Sequence, residues 1–293
     1  MPSLSVLRTL LREATAREHS PRVNEPDLVM DDPEKVAAYT RAGREDGVMA
    51  PVYLFHCAQI CEIIRPGDNV VDLGCGPATQ LVMVARLNSG TQFVGVDLSP
   101  GMLDKARSLV TEQALSNVEL RTEDITRLSS FADASVDAVM STVALHHLPD
   151  LAALECCFKE VNRILKPDGG LYLVDFGHLK SEKSIDYFAH QYADRQPELF
   201  TLDYLYSLRA AFSLKDFKHL TDKCFTGQTK IYSTFLMPFM VAVKRHPEGV
   251  DPEPGVISQL QEIRDNLPRH HKNDLSDLMT FFRMGGLQSP LLE

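Results

Sequence analysis

Short apolar runs alternate with segments of helical periodicity through the middle of this chain. Residues 69–73 (NVVDL) form a β-branched run that ends at Gly74, a pattern typical of a buried strand. We predict strands at 69–73, 92–97, 117–121, 136–141 and 170–176, and helices at 78–88, 100–114 and 151–166, the last closed by Pro167 to Gly170. Strands alternating with helices predict an α/β fold with a doubly wound, mostly parallel sheet.

Helical patterns flank this core on both sides. We predict helices at 4–16, 33–43 (with Asp32 as N-cap), 51–64, 256–266 and 274–284, a mostly helical, aromatic segment at 181–222, and two closing strands at 228–234 and 236–243. The closing strands bring the sheet to seven. The chain then divides into a helical N-terminal cap (1–64), a core domain (65–245, with the insertion 181–222) and a C-terminal linker and helical tail (246–293).

Composition narrows the class of protein. The formal net charge of −10 over 293 residues disfavours nucleic acid as a partner, because phosphate contacts need Lys and Arg. No apolar run approaches membrane-spanning length, and Arg8, Arg12 and Glu13 interrupt any secretory signal. The six cysteines form no CxxC pair, which predicts reduced thiols, no metal site and a cytoplasmic location.

The segment Val70–Thr79 (VVDLGCGPAT) carries the strongest chemical signal. A strand runs into Gly74-x-Gly76 and then into a helix, a turn that lets the backbone approach a ligand at a helix N-terminus. Asp97 ends the next strand, where doubly wound folds place an acid that binds both hydroxyls of a ribose. The pattern therefore predicts an adenosine-containing ligand.

The details of this loop favour S-adenosylmethionine (SAM) over a dinucleotide. The third glycine of the dinucleotide fingerprint is replaced by Thr79. Asp72, just before the first glycine, would repel a pyrophosphate, whereas SAM carries an ammonium and a sulfonium that an acidic rim attracts.

Five blocks of the chain, which together span about 65–180, resemble class I SAM-dependent methyltransferases, especially the small-molecule branch that includes the ubiquinone/menaquinone-biosynthesis type. They read VVDLGCGPAT, FVGVDLSPGMLDKAR, TEDITRL, FADASVDAVMSTVALHHLPD and RILKPDGGLYLVDF. One departure is Ala78, where a further glycine is common. The resemblance implies the Rossmann-like sheet of that class, SAM as cofactor and S-adenosylhomocysteine as product.

The resemblance also implies roles for individual residues around the cofactor. Gly74 and Gly76 would lie against the methionine part of SAM, with Asp72 near its amino group. The other implied contacts are Asp97 on the ribose, Leu98 and Met102 beside the adenine, Asp124 and Ile125 on the adenine amino group and ring, and Ser141 and Thr142 beneath the sulfonium.

Methyl transfer is an in-line displacement, which proximity alone accelerates strongly, and a base is needed only if the nucleophile must lose a proton. His146 and His147 follow the fourth strand and are the candidates for that base. For either histidine, packing against the next turn or helix is the alternative.

The acceptor is predicted to be a small organic molecule. Candidates for contacting it are Tyr39, Asp175, His178, Tyr187 and Tyr192, the last two in the aromatic insertion. Tyr39 and Arg44 also lie where related enzymes place a cap over SAM, and Arg44 is a candidate for the methionine carboxylate.

Other classes remain open from the sequence. A non-catalytic SAM-fold module serving a partner protein is the main alternative, and apolar faces on the terminal helices suggest a homodimer. A nucleic-acid or protein methyltransferase is disfavoured, because STVALHH replaces the Asn-Pro-Pro-Tyr-like block after the fourth strand. An aminopropyl transferase would need a pair of acids in the same block, which is absent.

Overall fold

The computed structural model describes residues 4–16, 20–43, 47–225 and 227–293. Its helices are α1 Leu4–Thr15, α2 Pro33–Ala42, α3 Ala50–Cys61, α4 Thr79–Leu87, α5 Pro100–Glu112, α6 Leu151–Ile164, α7 Glu182–His190, α8 Glu198–Ala210, α9 Leu214–Cys224, α10 Val256–Asn266 and α11 Arg269–Met284. Its strands are β1 Asn69–Leu73, β2 Gln92–Asp97, β3 Val118–Thr122, β4 Val136–Thr142, β5 Leu165–Phe176, β6 Lys230–Ser233 and β7 Met240–Arg245.

The strands form one seven-stranded sheet in the order β3-β2-β1-β4-β5-β7-β6. The first five strands pair in parallel, and β7 runs antiparallel to both β5 and β6. The doubly wound α/β fold predicted from the sequence is therefore confirmed. The strand order reverses between β1 and β4, and ligands of open α/β sheets bind beyond the carboxyl ends of the strands at such a point.

Three predicted starts of elements differ from the structure by four residues or more. β5 begins at Leu165, whereas residues 165–169 were predicted as the end of a helix and its closing turn; Val136 pairs with Leu165, so strand pairing overrides the turn residues. The last strand starts at Met240 and not at 236. The last helix starts at Arg269, five residues before the predicted start.

Side-chain caps fix the helices that border the cofactor loop. Asp32 accepts hydrogen bonds from the backbone N–H groups of Glu34 and Lys35, and thus begins α2 as predicted. The hydroxyl of Ser99 accepts from the N–H of Met102 and begins α5 directly after β2. These caps hold the helix starts at the edge of the sheet where the strands end.

The two faces of the sheet carry separate apolar cores. α3, α4, α5, α10 and α11 cover one face, and α6 and α9 cover the other. Phe55 of α3 stacks on Phe282 of α11, with ring centroids 4.9 Å apart, and both rings are buried. The C-terminal tail thus shares a core with a helix of the N-terminal cap. Among the residues that the structure describes, no helix combines the length and the hydropathy of a membrane span.

Replacing Phe282 with alanine is expected to lower the free energy of unfolding by about 3–5 kcal/mol, because the change leaves a large cavity against Phe55. Urea denaturation measures this loss. The neighbouring Phe281, which is only partly buried, provides a matched control whose replacement by alanine should cost clearly less. Equal costs for the two variants would contradict an integral packing role for α11.

An N-terminal strap, residues 20–32, crosses the carboxyl end of the sheet without regular structure. Near its start, the guanidinium of Arg22 donates to the carbonyl oxygens of Ala210, Leu148 and Pro149 at 2.6–2.8 Å. At its other end, Asp31 Oδ1 accepts from the Ser99 hydroxyl at 2.9 Å. Both ends of the strap are therefore fixed beside the strand ends.

Candidate cofactor and acceptor site

The turn between β1 and α4 is built for close approach of a ligand. Gly74, Gly76 and Ala78 all adopt positive φ angles, of 66°, 53° and 63°. A Cβ on Gly74 would lie 2.5 Å from the Cβ of Ala144, so only glycine fits there. A Cβ on Gly76 would have no neighbour within 4 Å, so the backbone of Gly76 faces open space.

Asp97 connects this turn to the start of α5. Its Oδ2 accepts from the N–H of Gly76 and its Oδ1 from the N–H of Ser99, both at 2.8 Å. Burial raises the pKa of Asp97, although these backbone donors oppose the rise. The carboxylate predicted to bind ribose therefore also orders the glycine turn.

These elements enclose a cavity of about 370 Å³, the cofactor cavity. It is lined by seven of the ten predicted cofactor residues, namely Gly74, Gly76, Asp97, Leu98, Met102, Asp124 and Ile125, and by Tyr39 and His147. Leu28, Val29 and Met30 of the N-terminal strap also line it. Four of the five sequence blocks thus contribute to one cavity, and the fifth, residues 163–176, does not line it.

The other three predicted cofactor residues lie outside this lining. Ser141 donates its hydroxyl to the carbonyl of Leu73 at 2.8 Å and so connects β4 to β1. The hydroxyl of Thr142 is buried and has no hydrogen-bond partner among the described residues. Asp72 is buried within β1, and both burial and the nearby Asp97 raise its pKa well above the usual value.

The residues present fit SAM. Asp72 accepts no hydrogen bond from the described part of the chain, and it lies close enough to Asp97 for the two charges to repel. A cationic ligand relieves this repulsion, whereas a pyrophosphate would increase it. Leu98, Met102 and Ile125 offer apolar surface to a base, and Asp97, the acid predicted from the sequence to bind ribose, lines the same cavity.

The two candidate histidines have different surroundings. His146 is buried, with 3% exposure, and its Nδ1 lies 2.8 Å from Asp175 Oδ1. Its backbone N–H donates to the other oxygen of Asp175 at 2.9 Å. Although burial opposes the charge, Asp175 and Glu25 raise the pKa of His146. His146 and Asp175 therefore form an internal pair and do not line the cofactor cavity.

His147 lines the cofactor cavity, and its side chain is 25% exposed. Its Nδ1 lies 3.2 Å from Glu25 Oε2, while Glu25 Oε1 lies 3.5 Å from Nε2 of His146. Burial would raise the pKa of Glu25, but the two histidines and the Ser207 hydroxyl lower it to about 2. Glu25 is thus an ionised partner of both histidines.

Glu25 was missed by the sequence reasoning. It lies in the Pro-containing segment that carries no motif, about 120 residues before the histidines. Only the path of the N-terminal strap over the strand ends brings it there. The sole sequence signal was an acid in an otherwise irregular segment, which is too common to be informative.

The remaining predicted residues are His178, Tyr187 and Tyr192, expected to contact the acceptor, and Arg44, expected to contact the methionine carboxylate. His178 lies beside the N-terminal strap, with Nε2 2.7 Å from the carbonyl oxygen of Ser20. Tyr192 donates its hydroxyl to Asp274 of α11 at 3.1 Å. Tyr187 packs against the core, so none of these three lines the cofactor cavity. Arg44 lies outside the described residues.

A second cavity of about 320 Å³, the acidic cavity, adjoins the N-terminal strap. Its lining consists of Glu25, Asp27, Val29, Met30, Asp31, Asp32, Lys35 and Asp203. Asp203 comes from α8 and is 8% exposed. Burial and the nearby charge of Glu25 raise the pKa of Asp203 to about 6.

Replacing Asp203 with asparagine is expected to stabilise the protein at neutral pH. The pKa of this acid is raised from 3.8 to about 6, so its ionisation costs more in the folded state than in the unfolded chain. The cost is absent below pH 3.8 and complete above pH 6. We expect the free energy of unfolding of Asp203→Asn to exceed that of the wild type by about 1–3 kcal/mol at pH 7.5. Urea denaturation at pH 7.5 and pH 3.5 measures this difference. An equal difference at both pH values would contradict the raised pKa of Asp203.

The sheet order, the glycine turn and the acid at the end of β2 define the fold and cofactor site of a class I SAM-dependent methyltransferase. The chain belongs to the family described as methyltransferase domain, which matches residues 64–232, more than half of its length. SAM is the cofactor of this class.

Relatives and solved structures agree with this assignment. The ubiquinone biosynthesis O-methyltransferase of Xanthomonas campestris is 31% identical over 133 residues, which are 44% of this chain and 53% of that protein. The demethylmenaquinone methyltransferase of Listeria monocytogenes is 35% identical over 113 residues, 38% of this chain and 46% of that protein. The chain thus spans about half the length of these curated relatives.

The fold is also that of a crystallised SAM-dependent methyltransferase from Aquifex aeolicus. The TM-score is 0.51 at 16% sequence identity, over 73% of this chain and 97% of that one. At this level of identity the likeness concerns the fold alone.

Proposed function

We propose that this protein methylates a small organic acceptor, with His147 taking the proton that the acceptor loses. When bound, SAM supplies an activated methyl group for in-line displacement. The observation that carries the proposal is the position of His147, which lines the cofactor cavity together with the glycine turn and Asp97. A base at this place is within the region where ligands of open α/β sheets react.

The neighbours of His147 support this role. Glu25 faces its Nδ1 at 3.2 Å, and a carboxylate stabilises the imidazolium that forms when the ring accepts a proton. Asp175 holds His146 behind it, and the His146 and His147 ring centroids are 4.4 Å apart. In this arrangement Glu25 and His146 position the base, while only His147 faces the cavity.

A small acceptor is supported by several features. The net charge of −10 is poorly suited to polyanionic substrates. Both curated relatives bear names of quinone-related methyltransferases. The non-catalytic alternative gains no support from the site, because the glycine turn, Asp97 and a cavity-lining histidine are all in place.

The test is calorimetric titration with SAM and S-adenosylhomocysteine, using protein freed of carried-over ligand, followed by an acceptor screen with methyl-labelled SAM. We expect affinities in the micromolar to millimolar range typical of enzyme ligands and label transfer to a small molecule. Cofactor binding without transfer to any small acceptor would favour the non-catalytic module, and absence of binding by folded protein would contradict the site.

A further inference from the structure

Asp203 is the unusual member of the acidic cavity. The other four acids are satisfied by donors on the described chain. These contacts are Glu25 with Ser207, Asp27 with Lys35, Asp31 with Ser99 and Gly101, and Asp32 with the N–H groups of Glu34 and Lys35. Asp203 is more than nine-tenths buried, yet its carboxylate accepts no hydrogen bond from any described residue. Buried carboxylates normally have a partner.

The charge of this cavity is unbalanced. Five carboxylates line it against a single ammonium, that of Lys35, and the nearest acid to that ammonium is Asp27, at 2.7 Å. The two histidines beside Glu25 reduce the local negative charge but do not remove it. The charges of Lys35, His146 and His147 lower the pKa of Asp203 from a distance, but no described cation forms an ion pair with its carboxylate, since Lys35 pairs with Asp27. A close partner for Asp203 is therefore expected to come from a ligand.

The acidic cavity lies next to the cofactor cavity. Val29 and Met30 of the N-terminal strap line both. Glu25 lines the acidic cavity and faces His147 on the cofactor side at 3.2 Å. Tyr39 lines the cofactor cavity, and its pKa is raised. Burial and the contact with Tyr53 are the largest causes, and the negative charges of Asp203 and Asp175 add to them. A molecule bound at Asp203 is thus close to the proposed base.

We propose that the methyl acceptor carries a positively charged nitrogen group and that Asp203 is its counter-ion in the acidic cavity. This inference rests on the proposed function and specifies the acceptor class. A neutral acceptor that filled the acidic cavity would displace water from the Asp203 carboxylate without supplying a counter-ion, whereas an ammonium provides both charge and hydrogen-bond donors. Asp203 is then a specificity-determining residue, distinct from the base.

The test compares a charged probe with a neutral one of the same shape. Benzylamine and benzyl alcohol are titrated by calorimetry at pH 7.5 into the full chain saturated with S-adenosylhomocysteine. We expect benzylamine to bind at least tenfold more tightly than benzyl alcohol, and Asp203→Asn to abolish the difference. Asp222→Asn, at an exposed acid of α9, is the matched control and should keep it.

The outcomes separate this inference from the proposed function. Equal binding of the two probes, binding of neither, or an unchanged preference in Asp203→Asn would overturn the cation site. Because Asp203→Asn is expected to be at least as stable as the wild type at pH 7.5, unfolding does not explain a lost preference. A preserved amine preference in a protein that transfers no methyl group would overturn the proposed activity while leaving the cation site standing.

Discussion

Replacing Asp97 with alanine is expected to lower the affinity for SAM and S-adenosylhomocysteine at least about 100-fold. The sequence predicts that this carboxylate binds the ribose hydroxyls, and hydrogen bonds to a charged group contribute about 1.5–3 kcal/mol each. The change also releases the N–H groups of Gly76 and Ser99, which Asp97 holds at 2.8 Å. Loss of that contact loosens the glycine turn and adds to the effect. Calorimetric titration measures the affinity.

The control for this experiment is Asp104→Ala. Asp104 is an exposed acid of α5 that pairs with Arg107 at 2.8 Å and does not line the cavity. Its replacement removes the same charge and should leave the cofactor affinity unchanged. If Asp97→Ala, shown to be folded by circular dichroism, bound SAM as tightly as the wild type, the assignment of the cofactor site would be wrong.

Replacing His147 with alanine is expected to lower the single-turnover rate of methyl transfer about 10²–10⁴-fold, the usual contribution of a general base. Cofactor affinity should change little, because Asp97 and the glycine turn are retained. Rapid-quench measurements with labelled SAM and the acceptor identified by the screen give the rate. Added imidazole should restore part of it, which a purely structural role for His147 would not predict.

Two further variants serve as a control and as a test of the charge that faces His147. His219→Ala removes an exposed histidine of α9 and should leave the rate unchanged. Glu25→Gln keeps the size of the side chain but removes the charge that faces His147, so we expect an intermediate rate. A wild-type rate in His147→Ala would show that proximity alone drives the reaction.

The cofactor-binding residues could be predicted from the sequence because they lie in elements that follow one another along the chain. The glycine turn lies between consecutive elements, β1 and α4, and Asp97 ends the very next strand. Parallel strands place their carboxyl ends at one edge of a sheet, so spacing along the chain determined which side chains meet. Seven of the ten predicted residues line one cavity for this reason.

Position at a strand end did not determine how each side chain is used. Ser141 and Asp175 lie on the predicted edge, yet Ser141 bonds to Leu73 and Asp175 pairs with His146. Each of these polar groups is buried, and a buried polar group binds whichever partner the fold brings nearest. That partner comes from another strand or loop, which spacing alone does not reveal.

The sequence by itself determined the fold class, the cofactor and the edge of the sheet where the reaction is proposed. The tertiary structure decided which histidine faces the cavity, and it brought Glu25 of the N-terminal strap and Asp203 of α8 to that edge. Helices and strands form from short-range periodicity, whereas the acceptor side is assembled from segments about 120 to 180 residues apart in the chain. Their meeting depends on long-range packing, which leaves no pattern in any single segment.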